Sequence, residues 1–316
     1  MNRWSLHTLL LSATALAMLA GCGSAMQPAT QPALRPQAAN AFMQPRTSSD
    51  DLVYVSDRWK RVVNVYSFPN GERVGKLTGF QAPTGECVDR QGNIWITDTG
   101  KVVEYAHGGS APIGSLNADA DGCAINPRNG DLALTSRYSG DVTIYKNARG
   151  TPSVYSDPAV PGYFYCTYDN AGNLFITADS TDHPLAELVK GSSTIAEIAY
   201  PRATYLGSAS WDGSYLVLAR SGEYNVPVVF DRVSVSGSKA TIVSSLQLYG
   251  FHHKKHNEPG VQYALFNGTI IGPNHSPSRE ARFVNFWKYP DGGDPFKQVS
   301  EQRAVFLWGI AVSPHN

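Results

Sequence analysis

Hydrophobic positions divide the chain into three parts. A mostly apolar run occupies residues 9–20, and a stretch with almost no periodic apolar residues follows up to residue 50. From residue 51 onward, short apolar segments alternate with polar turns that contain glycine or proline. Side chains that alternate with a period of two are typical of strands, and no stretch combines sustained helical periodicity with caps at both ends. The sequence therefore predicts an all-β domain over residues 51–316.

Recurring glycines mark the starts of repeats within this domain. Each ends a polar turn and precedes alternating apolar residues, as in Gly-Asn-Ile-Trp-Ile-Thr-Asp at residues 92–98. The glycines are Gly92, Gly130, Gly172, Gly213 and Gly268, and residues 51–56 fit the same pattern without a glycine. A period of roughly 40 residues is typical of β-propellers, in which each blade is a four-stranded sheet. The six starts predict a six-bladed β-propeller.

The C-terminus offers a strand for the first blade. Residues 309–313 match the strand that precedes each repeat start, although no start follows them. Their missing continuation is the segment at residues 52–55. We therefore expect the C-terminal strand to join the first blade and close the ring, which hides sheet edges that would otherwise pair with other chains.

The repeats resemble known families. Residues 83–98 follow the pattern Pro-x-Gly-x-x-Val-Asp-x-x-Gly-Asn-Ile-x-Ile-x-Asp and resemble an NHL-type repeat, which is related in shape to the six-bladed gluconolactonase-like propellers. The set of blades also resembles a group of secreted bacterial lipoproteins with Tyr-x-Tyr-Pro-x-Gly-Gly-like turns. The resemblance covers nearly all of residues 51–316 and implies the fold, whereas propellers host many unrelated activities.

Resemblance to gluconolactonase-like propellers implies a metal on the axis, held by a Glu, two Asn and an Asp from different blades. Glu86 lies in a predicted innermost strand, Gln262 shares its register, and Asp119 and Asp121 lie in a loop before another inner strand. One carboxylate and one amide suit calcium poorly, because calcium takes about six or more oxygens. These four residues are candidate ligand-binding positions; the alternative is that they satisfy backbone groups in turns. We predict no cofactor, with calcium as the alternative.

Three cysteines, Cys87, Cys123 and Cys166, lie on predicted inner strands of consecutive blades. Cys123 and Cys166 share a register, so they are the predicted pair if a disulfide forms in an oxidising compartment. The alternative is that small thiols pack between blades where larger side chains do not fit. The Cys-x-x-Cys spacing of structural zinc sites is absent.

Histidines are concentrated in one predicted loop before the sixth blade. His252, His253 and His256 flank two lysines there. Imidazoles at this spacing are candidate ligands for a transition metal and candidate pH sensors. The lysines oppose a cation, so a solvated loop is the alternative interpretation.

The N-terminus resembles a bacterial lipoprotein signal. Arg3 precedes the apolar run, which is shorter than the roughly 20 apolar residues that a membrane-spanning helix needs. Residues 19–22, Leu-Ala-Gly-Cys, resemble the lipobox, in which the cysteine is acylated and the chain is cut before it. The resemblance implies a signal peptide at residues 1–21, an anchor in membrane lipid through Cys22 and a place in the bacterial cell envelope, with Gly23 favouring the outer membrane. An ordinary secretory signal is the alternative.

Composition and motifs limit the classes of partner and of reaction that fit the sequence. Residues 22–50, rich in Ala, Gln, Pro and Ser, predict a disordered tether. The 26 basic and 26 acidic residues balance, which argues against a nucleic-acid partner. Gly-x-Ser-x-Gly, phosphate-loop and His-Glu-x-x-His motifs are absent. We hypothesise a monomeric binding or scaffold module for an envelope protein, glycan or small ligand, and the alternative is a lactonase- or lyase-type enzyme with a metal in its axial pocket.

Overall fold

The computed structural model describes residues 41–160, 162–220, 228–251, 261–274, 283–301, 304 and 306–315. In these ranges the chain forms strands and two short 3-10 helices, at Pro45–Ser48 and Lys146–Ala148, but no α-helix. No helix in these ranges has the length and apolar character needed to cross a membrane. The all-β prediction is therefore confirmed. Cys22, His252, His253 and His256 lie outside the described residues.

The described strands form five sheets, numbered here in chain order. Sheet 1 has the order β1-β4-β3-β2-β25 and contains Phe42–Met43 (β1), Asp51–Asp57 (β2), Val62–Phe68 (β3), Arg73–Leu77 (β4) and Leu307–Ser313 (β25). Sheet 2 contains Glu86–Val88 (β5), Ile94–Asp98 (β6), Lys101–Tyr105 (β7) and Pro112–Leu116 (β8). Sheet 3 contains Gly122–Ile125 (β9), Leu132–Thr135 (β10), Val142–Tyr145 (β11) and Ser153–Tyr155 (β12).

Sheet 4 contains Tyr163–Tyr168 (β13), Leu174–Ala178 (β14), Leu185–Leu188 (β15) and Ala196–Glu197 (β16). The first half of sheet 5 contains Leu206–Trp211 (β17), Leu216–Arg220 (β18), Val228–Ser236 (β19) and Lys239–Leu248 (β20). Its second half contains Ala264–Phe266 (β21), Thr269–Asn274 (β22), Phe283–Lys288 (β23) and Gly292–Ser300 (β24). Consecutive strands within sheets 2 to 4 and within each half of sheet 5 pair antiparallel, and one parallel pair, Leu248 with Gly293, joins the halves.

The turns follow from the glycines that begin the repeats. Gly92, for example, has a φ of 80°, a left-handed conformation that residues with a Cβ rarely adopt. Asp89 accepts hydrogen bonds from the main-chain N–H groups of Gln91 and Asn93 and so fixes the same turn. This local chemistry places β5 and β6 side by side as an antiparallel hairpin.

The predicted pairing of the two ends of the domain is confirmed. β25 pairs antiparallel with β2, with Leu52 opposite Ser313 and Val55 opposite Ile310. A strand before residue 51 also belongs to sheet 1, because β1 pairs with β4 through Phe42 and Met43. Gly75 lacks a side chain at the point where Met43 packs against β4. A strand of two residues carries no alternation long enough to be recognised in the sequence.

The apolar core lies between successive sheets. Buried clusters join sheet 1 to sheet 2, sheet 2 to sheet 3, sheet 3 to sheet 4, and sheet 4 to the first half of sheet 5. A further cluster joins the two halves of sheet 5, and another joins the second half to sheet 1. Each sheet therefore buries both faces, which explains why the strands β2, β6 and β14 are buried along almost their whole length.

Buried hydroxyl groups of the repeat strengthen these contacts. Ser56 donates to the carbonyl of Thr84 in the next sheet at 3.0 Å, and Thr135 donates to the carbonyl of Phe164 in the next sheet at 2.9 Å. The equivalent Thr97 hydroxyl bonds to Thr84 and Gly85, which directly precede β5 of its own sheet. Because the backbone groups concerned are buried, these hydroxyls satisfy atoms that would otherwise lose a partner.

Candidate functional site

The first strand of each sheet, or β25 in sheet 1, is called here the inner strand. The end of the sheets at which β5, β9, β13 and β25 begin is called the upper end, and the opposite end is called the lower end. The turns after β2 and β10 also lie at the upper end, because these strands run antiparallel to the inner strands of their sheets. Side chains from sheets that are not neighbours meet at this end.

An aromatic cluster fills the centre of the upper end. Phe164 and Tyr165 come from β13 in sheet 4, whereas Trp308 comes from β25 in sheet 1. The ring centroids of Phe164 and Trp308 are 6.4 Å apart. Since these sheets are separated by two others along the chain, the contact shows that inner strands converge on a common centre.

Two more aromatic side chains extend the cluster to the protein surface. Phe306 stacks on Trp308 with centroids 5.1 Å apart, and Trp59 stacks on Phe306 at 5.0 Å with planes within 12° of parallel. Trp308 is only 7% exposed, whereas Trp59 is 62% exposed. The stack therefore presents an open aromatic face that rests on a buried base.

Two arginines lie against these rings. The Arg58 guanidinium is 5.4 Å from the centroid of Trp308, and that of Arg137 is 5.2 Å from the centroid of Phe164. Arg137 also donates to the hydroxyl of Tyr138, which is 78% exposed. This hydrogen bond and the positive charge lower the pKa of Tyr138. Such contacts hold a guanidinium in place while leaving donors for a ligand.

A cavity of about 450 Å³ opens beside Arg58 and Tyr138. Its other lining residues are mostly hydroxyl and carboxylate side chains: Thr84, Asp98, Thr99, Asp119, Asp121, Ser136 and Ser139, with Ala82 and Ala120. The cavity combines fixed acceptors, hydroxyls that both donate and accept, and a guanidinium. This is a polar pocket next to an aromatic surface.

The predicted residues Asp119 and Asp121 both line this cavity. Asp119 accepts a hydrogen bond from the main-chain N–H of Gly100 at 2.6 Å, and Asp121 accepts one from that of Arg137 at 2.8 Å. Burial raises the pKa of Asp121, while the Arg137 N–H and the charges of Arg137 and Arg58 oppose the shift. Asp121 thus links the cavity to the turn that carries Arg137.

The predicted residues Glu86 and Gln262 lie elsewhere, deeper among the inner strands. Gln262 accepts a hydrogen bond from the Glu86 main-chain N–H at 2.8 Å and donates to the Glu86 carbonyl at 2.6 Å. Glu86 is 1% exposed, neither of its carboxylate oxygens has a hydrogen-bond partner among the described residues, and burial raises its pKa well above the usual range. The structure therefore pairs Glu86 with Gln262 through the backbone.

The four candidate positions do not form one oxygen cluster. Asp119 and Asp121 line the upper cavity, whereas Glu86 faces Ser56 and Ala311 of sheet 1. Among the residues that the structure describes, no group of three or more His, Cys, Asp or Glu side chains is arranged to hold a metal ion. Glu86 therefore does not share a site with Asp119 and Asp121.

The predicted disulfide between Cys123 and Cys166 is wrong, because the structure pairs Cys87 with Cys123. Their Cα atoms are 5.7 Å apart, and Cys166 is a buried free thiol. The reason is the alternation of side chains along β9. Cys123 faces sheet 2 in the cluster that contains Cys87, whereas its neighbour Ala124 faces sheet 4 in the cluster that contains Cys166.

The aromatic rings and arginines of the upper end were not found by motif analysis. One signal was present, because an arginine followed by an aromatic residue occurs in the same turn of two repeats. Arg58-Trp59 follows β2, and Arg137-Tyr138 follows β10. The partners Phe164 and Trp308 could not be assigned from the sequence, since they lie far apart along the chain.

No protein-family model and no curated protein matches the sequence. Among solved structures, the chain is similar to a protein of unknown function from Bacteroides caccae, with 12% identity, a TM-score of 0.63 and coverage of 84% of this chain and 99% of that chain. A chain of a nidogen/laminin complex gives 10% identity, a TM-score of 0.58 and the same two coverages. A chain of a mitotic checkpoint complex gives 15% identity, a TM-score of 0.54 and coverage of 79% and 74%. With the sheets described above, these likenesses indicate a β-propeller fold.

Proposed function

We propose that this protein is a binding module of the bacterial cell envelope that holds a glycan at the upper end of its propeller. One observation carries the proposal: the stack of Trp59, Phe306 and Trp308, which is open to solvent at Trp59, stands beside a cavity lined by hydroxyls, carboxylates and Arg58. Recognition sites on rigid scaffolds commonly combine an aromatic surface with a few placed polar groups.

The chemistry of the site matches a polyhydroxylated ligand. A flat aromatic face packs against the C–H face of a sugar ring, and Trp59 offers such a face to solvent. Sugar hydroxyls donate to carboxylates such as that of Asp119 and accept from Arg58. The three carboxylates and one guanidinium of the lining offer several acceptors and a donor to the hydroxyls of a glycan.

The glycan proposal leads to a binding experiment. Isothermal titration calorimetry of the purified protein with chitotetraose, maltotetraose and other short oligosaccharides should show saturable binding to at least one of them. The double variant Trp59→Ala/Tyr138→Ala should weaken that binding about tenfold or more, which corresponds to about 1.4 kcal/mol. Phe296→Ala is the matched control, because Phe296 is 51% exposed and belongs to β24.

Two outcomes would contradict the glycan proposal. One is the absence of saturable binding across the panel. The other is equal affinity of the double variant and the Phe296→Ala control. Capture of a protein by the same aromatic surface, without sugar binding, would assign the site to a different class of ligand.

We propose further that the propeller has six blades, with sheet 5 counted as two. Among the described residues, Leu248 with Gly293 is the only strand pair between the halves of sheet 5, whereas each half is a four-stranded meander. The cycle of apolar clusters supports the same division, because each half has its own cluster with its neighbour. Six blades agree with the six repeat starts of the sequence.

The proposed location in the envelope rests on the lipobox-like residues 19–22. Acylation of Cys22 would tether the propeller to a membrane, and stable anchoring takes more than one acyl chain. Mass spectrometry of the protein from its native membrane should find diacylglycerol on Cys22. A Cys22→Ser variant that remains in the membrane fraction would contradict the anchor.

A further inference from the structure

Sheets 2 and 4 contain the same cross-strand pair of an aromatic residue and a glutamate. Trp95 lies opposite Glu104, and Phe175 lies opposite Glu187. Each pair lines a crevice of about 460 Å³ towards the lower end, where its sheet meets the next one. The two crevices occupy equivalent positions in the repeat, so differences between their lining residues indicate which kind of ligand each one can bind.

The crevice between sheets 2 and 3 contains its own cations. Arg90 and Arg149 line it together with Glu104. Burial and the charge of Asp89 raise the pKa of Glu104, whereas Arg149 and a hydrogen bond from Asn93 oppose the shift. The protein therefore supplies partners for this half-buried carboxylate.

The crevice between sheets 4 and 5 lacks such a cation. No lysine or arginine belongs to its lining, and the structure gives Glu187 no hydrogen bond or ion pair within the described ranges. Asp169 uses its carboxylate for the turn before β14, and Glu197 pairs with His183 at 2.9 Å. Burial and the charge of Asp169 raise the pKa of Glu187, and no positive group counters them.

One part of the lining of this second crevice is apolar, beside the polar residues Asn173, Ser214, Ser234 and Ser238. The rings of Phe175 and Trp211 are almost parallel, with planes at 7° and centroids 6.4 Å apart. The other apolar lining residues are Val189, Ala196, Ile198, Val233 and Val235. A carboxylate at the edge of an aromatic and aliphatic cavity favours a ligand with a positive end and an alkyl body.

We propose that the crevice between sheets 4 and 5 binds a small organic cation, an alkylammonium or a guanidinium with an alkyl stem. Its charged group pairs with Glu187, and its stem packs against Phe175 and Trp211. The positive charge of the ligand corresponds to the charge that Arg149 supplies beside Glu104 in the crevice between sheets 2 and 3. This site lies at the lower end and is independent of the proposed glycan site.

The test uses n-butylammonium as the probe and n-butanol as its neutral counterpart, titrated into the purified full chain by calorimetry or ligand-observed NMR. We expect saturable binding of one n-butylammonium per chain and binding of n-butanol that is about tenfold weaker or more. Glu187→Gln should weaken n-butylammonium binding about tenfold. Glu104→Gln is the matched control and should change it by less than about twofold.

A gain-of-binding variant sharpens the test. Removing both cations of the other crevice with Arg90→Ala/Arg149→Ala should open it and raise the stoichiometry to about two probes per chain. Thermal melts establish that each variant is folded. Equal affinity for the two probes, equal losses for Glu187→Gln and Glu104→Gln, or unchanged stoichiometry in the arginine variant would each overturn the proposal.

Discussion

The interface between sheets 2 and 3 and the interface between sheets 3 and 4 have the same geometry but different chemistry. Gly85 and Gly122 are equivalent, because a Cβ on either would lie 2.5–2.7 Å from the backbone of the next sheet. Two residues after Gly85, Cys87 bonds to Cys123. Two residues after Gly122 stands Ala124, which shares a buried cluster with Cys166. The second interface therefore contains only one of the two cysteines that a disulfide at this position requires.

This comparison shows that neighbouring inner strands are staggered by one residue. Cys123 and Cys166 occupy the same position in their own repeats, three residues before the polar residue that ends the strand. The bond nevertheless joins Cys123 to Cys87, which occupies the following position of its repeat. Equal register within a repeat therefore does not mean spatial contact between repeats.

Removal of the disulfide should have the largest effect on stability. Cys87→Ala/Cys123→Ala releases a constraint between residues 36 apart in sequence, which costs about 3–4 kcal/mol of unfolding free energy. Urea denaturation measures the loss, and the m-value should rise because the denatured chain without the bridge exposes more surface. Cys166→Ala is the control and should cost about 1 kcal/mol, because it removes only one sulfur from the core. Equal losses would show that the bridge contributes nothing as a covalent link.

Completing the second interface should have the next largest effect. Ala124→Cys places a thiol on the face of β9 that points to Cys166, so a second disulfide should form and stabilise the fold by about 2 kcal/mol. Peptide mapping without reductant identifies the bridge. Ile125→Cys is the control, since residue 125 packs on the opposite face with the sheet 2–3 cluster. A bridge from position 125 to Cys166 would disprove the stagger.

Loss of one hydroxyl should weaken the same interface more modestly. Thr135→Val removes the 2.9 Å hydrogen bond to the Phe164 carbonyl and leaves that buried group without its donor, at about 1–2 kcal/mol. Thr143→Val, a half-buried position in the neighbouring strand, should cost less than about 0.5 kcal/mol. Chemical denaturation distinguishes the two, and equal values would argue that Thr135 acts through volume alone.

The smallest effect concerns the reactivity of Cys166. Burial raises the pKa of the Cys166 thiol to about 12, so the folded protein keeps it protonated at about pH 9, where an ordinary thiol is largely thiolate. Iodoacetamide should therefore leave the Cys166 peptide unmodified in the folded protein and label it in urea. Rapid labelling of the folded protein at about pH 9 would contradict the burial of this thiol.

The sequence predicts the features that depend on local pattern. Gly92 and Gly172 mark turns because positive φ favours glycine, and the segment at residues 52–55 lacks a preceding strand, which β25 provides. The disulfide partner was missed because the stagger between strands depends on how sheets pack. The central site was missed because Phe164 and Trp308 meet only once the ring has closed.

The position of β1 has a mechanical consequence. β1 lies at the outer edge of sheet 1 and is held by two residue pairs, whereas β2 lies between β3 and β25 in the same sheet. A pulling force applied to the chain before Phe42 loads β1 first and peels it from β4 before it reaches the strand pair that joins the two ends of the domain. We therefore expect β1 to detach from β4 before β2 separates from β25 and the ring opens.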